Sequence, residues 1–165
     1  MTDIHLRSRS NHEKECGFGN YLVKYHNVHK KISVEVEPLH PTYQRHLAEV
    51  PFSGFSLNQW VGFKQITRTI TSNNTVKVEA YLNLSETLQT CNKMTEFTFD
   101  GKNTDIVIVK YEQKRLACVD KGDKTANDIN KGCLWLESGQ WCWIRINESN
   151  QTKVKWFSVR EIDPL

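Results

Sequence analysis

The chain has 165 residues, 38% of them hydrophobic and 25% charged, enough for one domain with a two-layer core. Its 22 basic and 19 acidic residues leave a net charge of +3 with no basic run longer than two residues, which argues against a nucleic-acid partner. No stretch approaches the ~18 consecutive apolar residues of a transmembrane helix, so no membrane span is expected.

The first residues, Met1 to Arg7, lack the apolar core of a signal peptide. Ile4 and Leu6 instead lie opposite His5, Arg7 and Arg9, which reads as a strand over 3–9, at the start either of a cytosolic protein or, the preferred reading, of a mature or trimmed chain. Further strands are expected over 20–26 and over 31–37, where Ile32, Val34 and Val36 alternate with Ser33, Glu35 and Glu37, a buried face and a presented one. The stretch from Leu39 to Val50 reads as irregular, with one helical turn after Pro41. Strands follow over 59–70 and 75–83, joined by a hairpin turn at Ser72–Thr75. In the second of these Val76, Val78, Ala80 and Leu82 alternate with Lys77, Glu79, Tyr81 and Asn83, giving one face to a core and the other to water. The remaining expected strands are 94–99, 105–111, 115–119, 141–146 and 154–162, with turns at Asp100-Gly101 and Asn147–Gln151. Many short strands with regular turns imply an all-β antiparallel sandwich or a barrel, in a single domain over 1–165.

The five cysteines contain no C-x-x-C pair, which speaks against a zinc ribbon or a thioredoxin-like site. Cys133 and Cys142 flank a hairpin-like stretch centred on Ser138-Gly139, and are expected to form a disulfide; the alternative is five reduced core thiols. Four glycosylation sequons, at Asn73, Asn83, Asn147 and Asn150, fall at turns or strand ends. With the cysteines they point to an extracellular or cell-surface glycoprotein.

Several segments occur together and in order: Arg9-Ser-Asn-His12, Cys16-Gly-Phe-Gly-Asn-Tyr21, Val36-Glu-Pro-Leu-His-Pro-Thr-Tyr43, Trp60-Val-Gly-Phe-Lys64, Val76-Lys-Val-Glu-Ala-Tyr81 and Phe157-Ser-Val-Arg-Glu-Ile-Asp-Pro164. From Ile4 to Pro164 the chain resembles a group of mostly uncharacterised extracellular proteins, well represented in ammonia-oxidising archaea. They look like concanavalin A-like jelly rolls, related in architecture to lectins and to polysaccharide lyases of the alginate-lyase type. The resemblance implies a jelly-roll fold and a polysaccharide or glycan partner. The chain departs from the group near its first strand, with Arg9-Ser-Asn-His12 in place of paired glycines and histidines, and it lacks a preceding strand-bearing region. A missing N-terminal edge strand would leave an open sheet edge, and so a route to self-association.

Sheets that bind sugars stack aromatic rings on pyranose faces and use Arg or Lys for acidic groups. His5, Arg7 and Arg9 on one strand, Lys77, Glu79 and Tyr81 on another, and Trp60 and Lys64 on a third would form a basic and aromatic platform if the strands are neighbours. The plainer alternative makes Lys77 and Glu79 a solvated face and Trp60 core. Trp141 and Trp143 share one parity with Arg145, either as an exposed stacking pair or as a second core layer. If the chain is a lyase acting by β-elimination, His12, His40 and Tyr43 are the candidate acid–base set, with Arg9, Tyr81 and Gln65 as further parts. The alginate-lyase pattern itself is not matched, since Arg7-Ser-Arg9 lacks its Glu and Gln65 is followed by Ile66-Thr67 with no His. Lectin-like jelly rolls often hold calcium, yet Asp120–Asp128 lacks the alternate acids of an EF-hand loop, so no metal ligands are assigned. The leading expectation is a lectin-like carbohydrate-binding module, with the lyase and an edge-assembling structural subunit as alternatives.

Overall fold

The computed structural model describes residues 3–10, 20–39, 42–56, 58–85, 90–99, 141–147, 153–154 and 158–160. Among them the fold is all-β. The strands are β1 (Asp3–Ser10), β2 (Asn20–His26), β3 (Lys31–Leu39), β4 (Thr42–Pro51), β5 (Gly62–Ile70), β6 (Thr75–Asn83), β7 (Asn92–Phe99) and β8 (Trp141–Asn147). They form a five-stranded sheet in the order β4-β3-β2-β1-β8 and a three-stranded sheet in the order β5-β6-β7. Every pairing is antiparallel.

The period-two pattern decides which residues meet. Tyr21, Val23 and Tyr25 of β2 and Ile32, Val34 and Val36 of β3 turn inward from the larger sheet. Val76, Val78, Ala80 and Leu82 of β6 turn inward from the smaller one, and with Phe52 and Phe99 all join one hydrophobic core. The arrangement is sandwich-like. Tyr25 packs against Phe63 of β5 with ring centroids 4.6 Å apart, an aromatic contact between the two sheets.

Two hairpins are closed by four-residue turns, and the β5–β6 one lies where the sequence places it. Ile70 pairs with Thr75 across a four-residue turn, and His26 pairs with Lys31 across another. Asn74 at φ 52° and Lys30 at φ 51° end these turns in the left-handed region, which Asn tolerates better than most residues. The β4–β5 connection is pinned to the β2–β3 turn. Asn27 Oδ1 accepts from the Phe55 N–H at 2.8 Å while its Nδ2 donates to the Phe55 carbonyl at 3.2 Å. Gly54 sits in this latch at φ 83°, and a Cβ there would stand 2.9 Å from Asn27 Oδ1.

Three expectations are corrected. The stretch expected to be irregular with a helical turn is β4, a strand with register shifts against β3 between Val34 and Val36 and between Val36 and Leu39. Ladder bonds to β3 override the local signal of Pro41. The run expected as a strand over 154–162 is not one at its described positions, since Val154 and Ser158–Arg160 lie outside any strand and are exposed. The polar parity of β3 does not face water: Ser33 and Glu35 are fully buried. Lys24 of β2 meets Glu35 at 2.5 Å and the Ser33 hydroxyl donates to Glu35 at 3.2 Å, so the buried charge is paired and hydrogen-bonded. The strands expected over 105–111 and 115–119 lie outside the described residues.

Candidate ligand-binding face

The outer face of β5-β6-β7 collects side chains in rows set by register. Tyr81 of β6 stands between Lys64 of β5 and Lys93 of β7. In the next row Glu79 lies between Ile66 and Glu96, and in the third Lys77 lies between Arg68 and Thr98. Among the described residues this face holds four cations and two carboxylates, a net charge of +2.

The charges are organised around two carboxylates with different roles. Glu96 is half-exposed and tightly paired: its Oε2 lies 2.7 Å from Lys93 Nζ and 2.9 Å from Lys77 Nζ. Hydrogen bonds from Lys93 and then Lys77 hold its carboxyl below the ordinary carboxylate value. The bond to Glu96 in turn raises Lys93. Glu79 is buried and loosely held, with Lys77 at 3.7 Å, Lys93 at 3.8 Å and Arg68 Nη2 at 3.7 Å. The Tyr81 hydroxyl donates to Glu79 at 3.4 Å. Burial first, then the Glu79 charge, pushes the Tyr81 phenol above its ordinary value. At neutral pH this face therefore presents a protonated phenol and an ionised Glu96, an arrangement suited to binding polar and charged groups.

Lys64 Nζ lies 4.9 Å from the centroid of the Tyr81 ring. Such an exposed cation–π contact is worth only ~0.5–1 kcal/mol. Trp60 is 43% exposed in the segment that leads into β5. It was expected inside the strand; β5 begins two residues later, at Gly62.

Of the expected platform, Lys64, Lys77, Glu79 and Tyr81 come together. His5, Arg7 and Arg9 do not join them, because β1 pairs with β2 and β8 in the other sheet. His5 is buried there, opposite Lys24 and Arg145, with its ring 6.1 Å from that of His26. Trp143 and Trp141 of β8 pair with Arg7 and Ser10 of β1, again in the larger sheet, while Ile144 packs on the core and Arg145 is exposed. Gln65 donates to the Tyr21 carbonyl at 3.1 Å, a tie between the two sheets.

Tyr43 lies on β4, and His12 and His40 fall outside the described residues, as do Cys133 and Asn150. Cys142 and Asn147 are on β8. Cys91 is a free thiol. Asn73 is exposed at the β5–β6 turn and accepts from the Thr75 hydroxyl at 2.6 Å. Asn83 is buried at the end of β6, its Oδ1 accepting from the Ser85 N–H and hydroxyl at 2.7 and 2.6 Å, so Asn73 is the better presented acceptor. Among the described residues no group of three His, Cys, Asp or Glu side chains is placed to hold a metal ion, and no helix is long and apolar enough to cross a membrane.

Arg68, Lys93 and Glu96 belong to the face and were missed in the sequence. Arg68 shares strand parity with Lys64, which was a usable signal. No family model, curated protein or solved structure matches the chain.

Proposed function

We propose that this chain is an extracellular, lectin-like carbohydrate-binding module of jelly-roll type, and that the outer face of β5-β6-β7 receives a glycan. The observation that carries the reading is the row Lys64–Tyr81–Lys93, an aromatic ring flanked by two lysines on one sheet face. The ring offers an apolar face for a pyranose, and the lysines donate to its hydroxyls. The exposed sequon at Asn73 supports an extracellular setting.

The test is a glycan-array and polysaccharide screen of the wild type and Tyr81→Ala, with circular dichroism to check folding. The substitution leaves the Tyr81 carbonyl in place, so the backbone hydrogen bond it accepts from Tyr25 persists. Binding by the wild type and its loss in Tyr81→Ala are expected; equal binding by both proteins would reject the face. Release of an unsaturated sugar product would make the protein a lyase instead.

A further inference from the structure

We infer that Arg68 is the anion-docking point of this face, taking the paired oxygens of an acidic substituent on the glycan: a uronate carboxylate or a sulfate ester. This deepens the glycan-binding reading and rests on it. Arg68 lies in the middle of β5, opposite Lys77 and on the same parity as Lys64.

Among the described residues its Nε–H has no acceptor. Lys77 and Lys93 each place an ammonium within 3 Å of Glu96, at 2.9 and 2.7 Å. Among the described residues Arg68 makes no comparable bond: its nearest carboxylate oxygen there, Glu79 Oε2, stands 3.7 Å from Nη2, and its Nε is buried with no acceptor. A buried guanidinium N–H without an acceptor is a cost that a folded protein rarely carries without a use. Glu79 makes the cluster tolerable. Its carboxylate stands 3.7 to 3.8 Å from Arg68, Lys77 and Lys93 and offsets their repulsion without occupying the guanidinium fork.

An arriving oxyanion finds a planar pair of N–H donors and, one strand away, the positive charge of Lys77. A guanidinium matches two oxygens side by side, which an ammonium cannot do. The side chain is 22% exposed, enough to be reached from the face.

The experiment has two arms on the full chain. In the first, dextran, polygalacturonate and dextran sulfate are titrated by calorimetry at fixed ionic strength into the wild type and Arg68→Lys, which keeps the charge and removes the fork. Binding of an acidic polymer should weaken about tenfold or more in Arg68→Lys, the loss of a charge-assisted hydrogen bond, with dextran binding unchanged. In the second, the Nε–H resonance of Arg68 is followed in the labelled wild type during titration with galacturonate, glucose 6-sulfate or galactose. A saturable shift with galacturonate assigns the site to uronates, one with the sulfate assigns it to sulfate esters, and galactose should leave the resonance in place. Wild-type affinity of Arg68→Lys for an acidic polymer, or an Arg68 resonance unmoved by both acids, overturns the inference. If no polymer binds while the resonance still responds to an acidic sugar, the docking point stands and the glycan-binding reading falls.

Discussion

The hydroxyl of Tyr25 lies 2.7 Å from the backbone carbonyl oxygen of Tyr81, so a side chain of one sheet is hydrogen-bonded to the backbone of the other directly beneath the candidate face. The same hydroxyl is 3.2 Å from the carbonyl of Lys64, the residue paired with Tyr81. Burial outweighs these bonds and holds the Tyr25 phenol far above its ordinary value, so it stays protonated and remains a donor. The row of residues proposed to meet a ligand is thereby anchored through the core.

Tyr25→Phe keeps the ring and its contact with Phe63 but removes the donor. The expected loss is about 1–3 kcal/mol, the cost of leaving a buried partner unsatisfied, read as a lower urea midpoint with an unchanged slope. A midpoint within error of wild type would show that the tie contributes nothing.

Breaking the buried pair of Lys24 and Glu35 should cost more. Lys24→Met leaves a carboxylate uncompensated beside Ser33, and removal of one partner of a buried ion pair typically costs about 3–5 kcal/mol. The double variant Lys24→Met, Glu35→Leu should recover most of that loss, because apolar side chains need no counter-charge. Chemical denaturation of the three proteins separates these cases; a double variant no better than the single one would contradict the argument.

The pH dependence of stability should carry the mark of Glu96. Its folded-state pKa is lowered from an ordinary 4.5, chiefly by the bond from Lys93. Its contribution is therefore complete above the unfolded value and is lost as pH falls through the lower folded one. Lys93 is raised above 10.5, so its share is complete below 10.5 and is lost as pH rises through the folded value. Between these limits the pair contributes a plateau. Glu96→Gln should flatten part of the acid limb of the urea midpoint as pH falls below the ordinary value of 4.5, and added salt should shrink the difference. Identical acid limbs in the two proteins would remove Glu96 from the account.

Gly54→Ala should destabilise by about 1–3 kcal/mol, since a side chain is strained at this φ and its Cβ would crowd Asn27 Oδ1. Gly54→Ala in an Asn27→Ala background should cost less, the crowding atom being gone. Thermal melts of the four proteins test this non-additivity.

Much of this architecture was legible in alternation. β2, β3, β6 and β8 stand out because hydrophobic residues recur every second position, and β6 also announced the face that carries Lys77, Glu79 and Tyr81. Pairing was not legible, because a strand's period says nothing about its neighbours. His5, Arg7 and Arg9 were therefore grouped with residues of the other sheet. β4 was hidden by Pro41 and by an irregular register that blurs its period. Lys93 and Glu96 were hidden for a sharper reason. They are three residues apart, on opposite parities, and share one face where the β6–β7 register shifts between Ala80 and Tyr81. Glu35 shows the converse failure, since a polar parity marks where hydrogen-bonding groups are needed, whether the partner is water or a buried lysine.

The pairing of β1 with β8 has a consequence for the nascent chain. β1, β2, β3 and β4 are neighbours in sequence and in the sheet, so their ladders can close as they leave the ribosome. The other edge of β1 acquires its partner only when Trp141–Asn147 has been made. At ~5–20 residues per second, that wait is on the order of ten seconds. During synthesis the sheet thus carries a reactive margin that the finished fold conceals, and chaperone demand should be greatest in that interval.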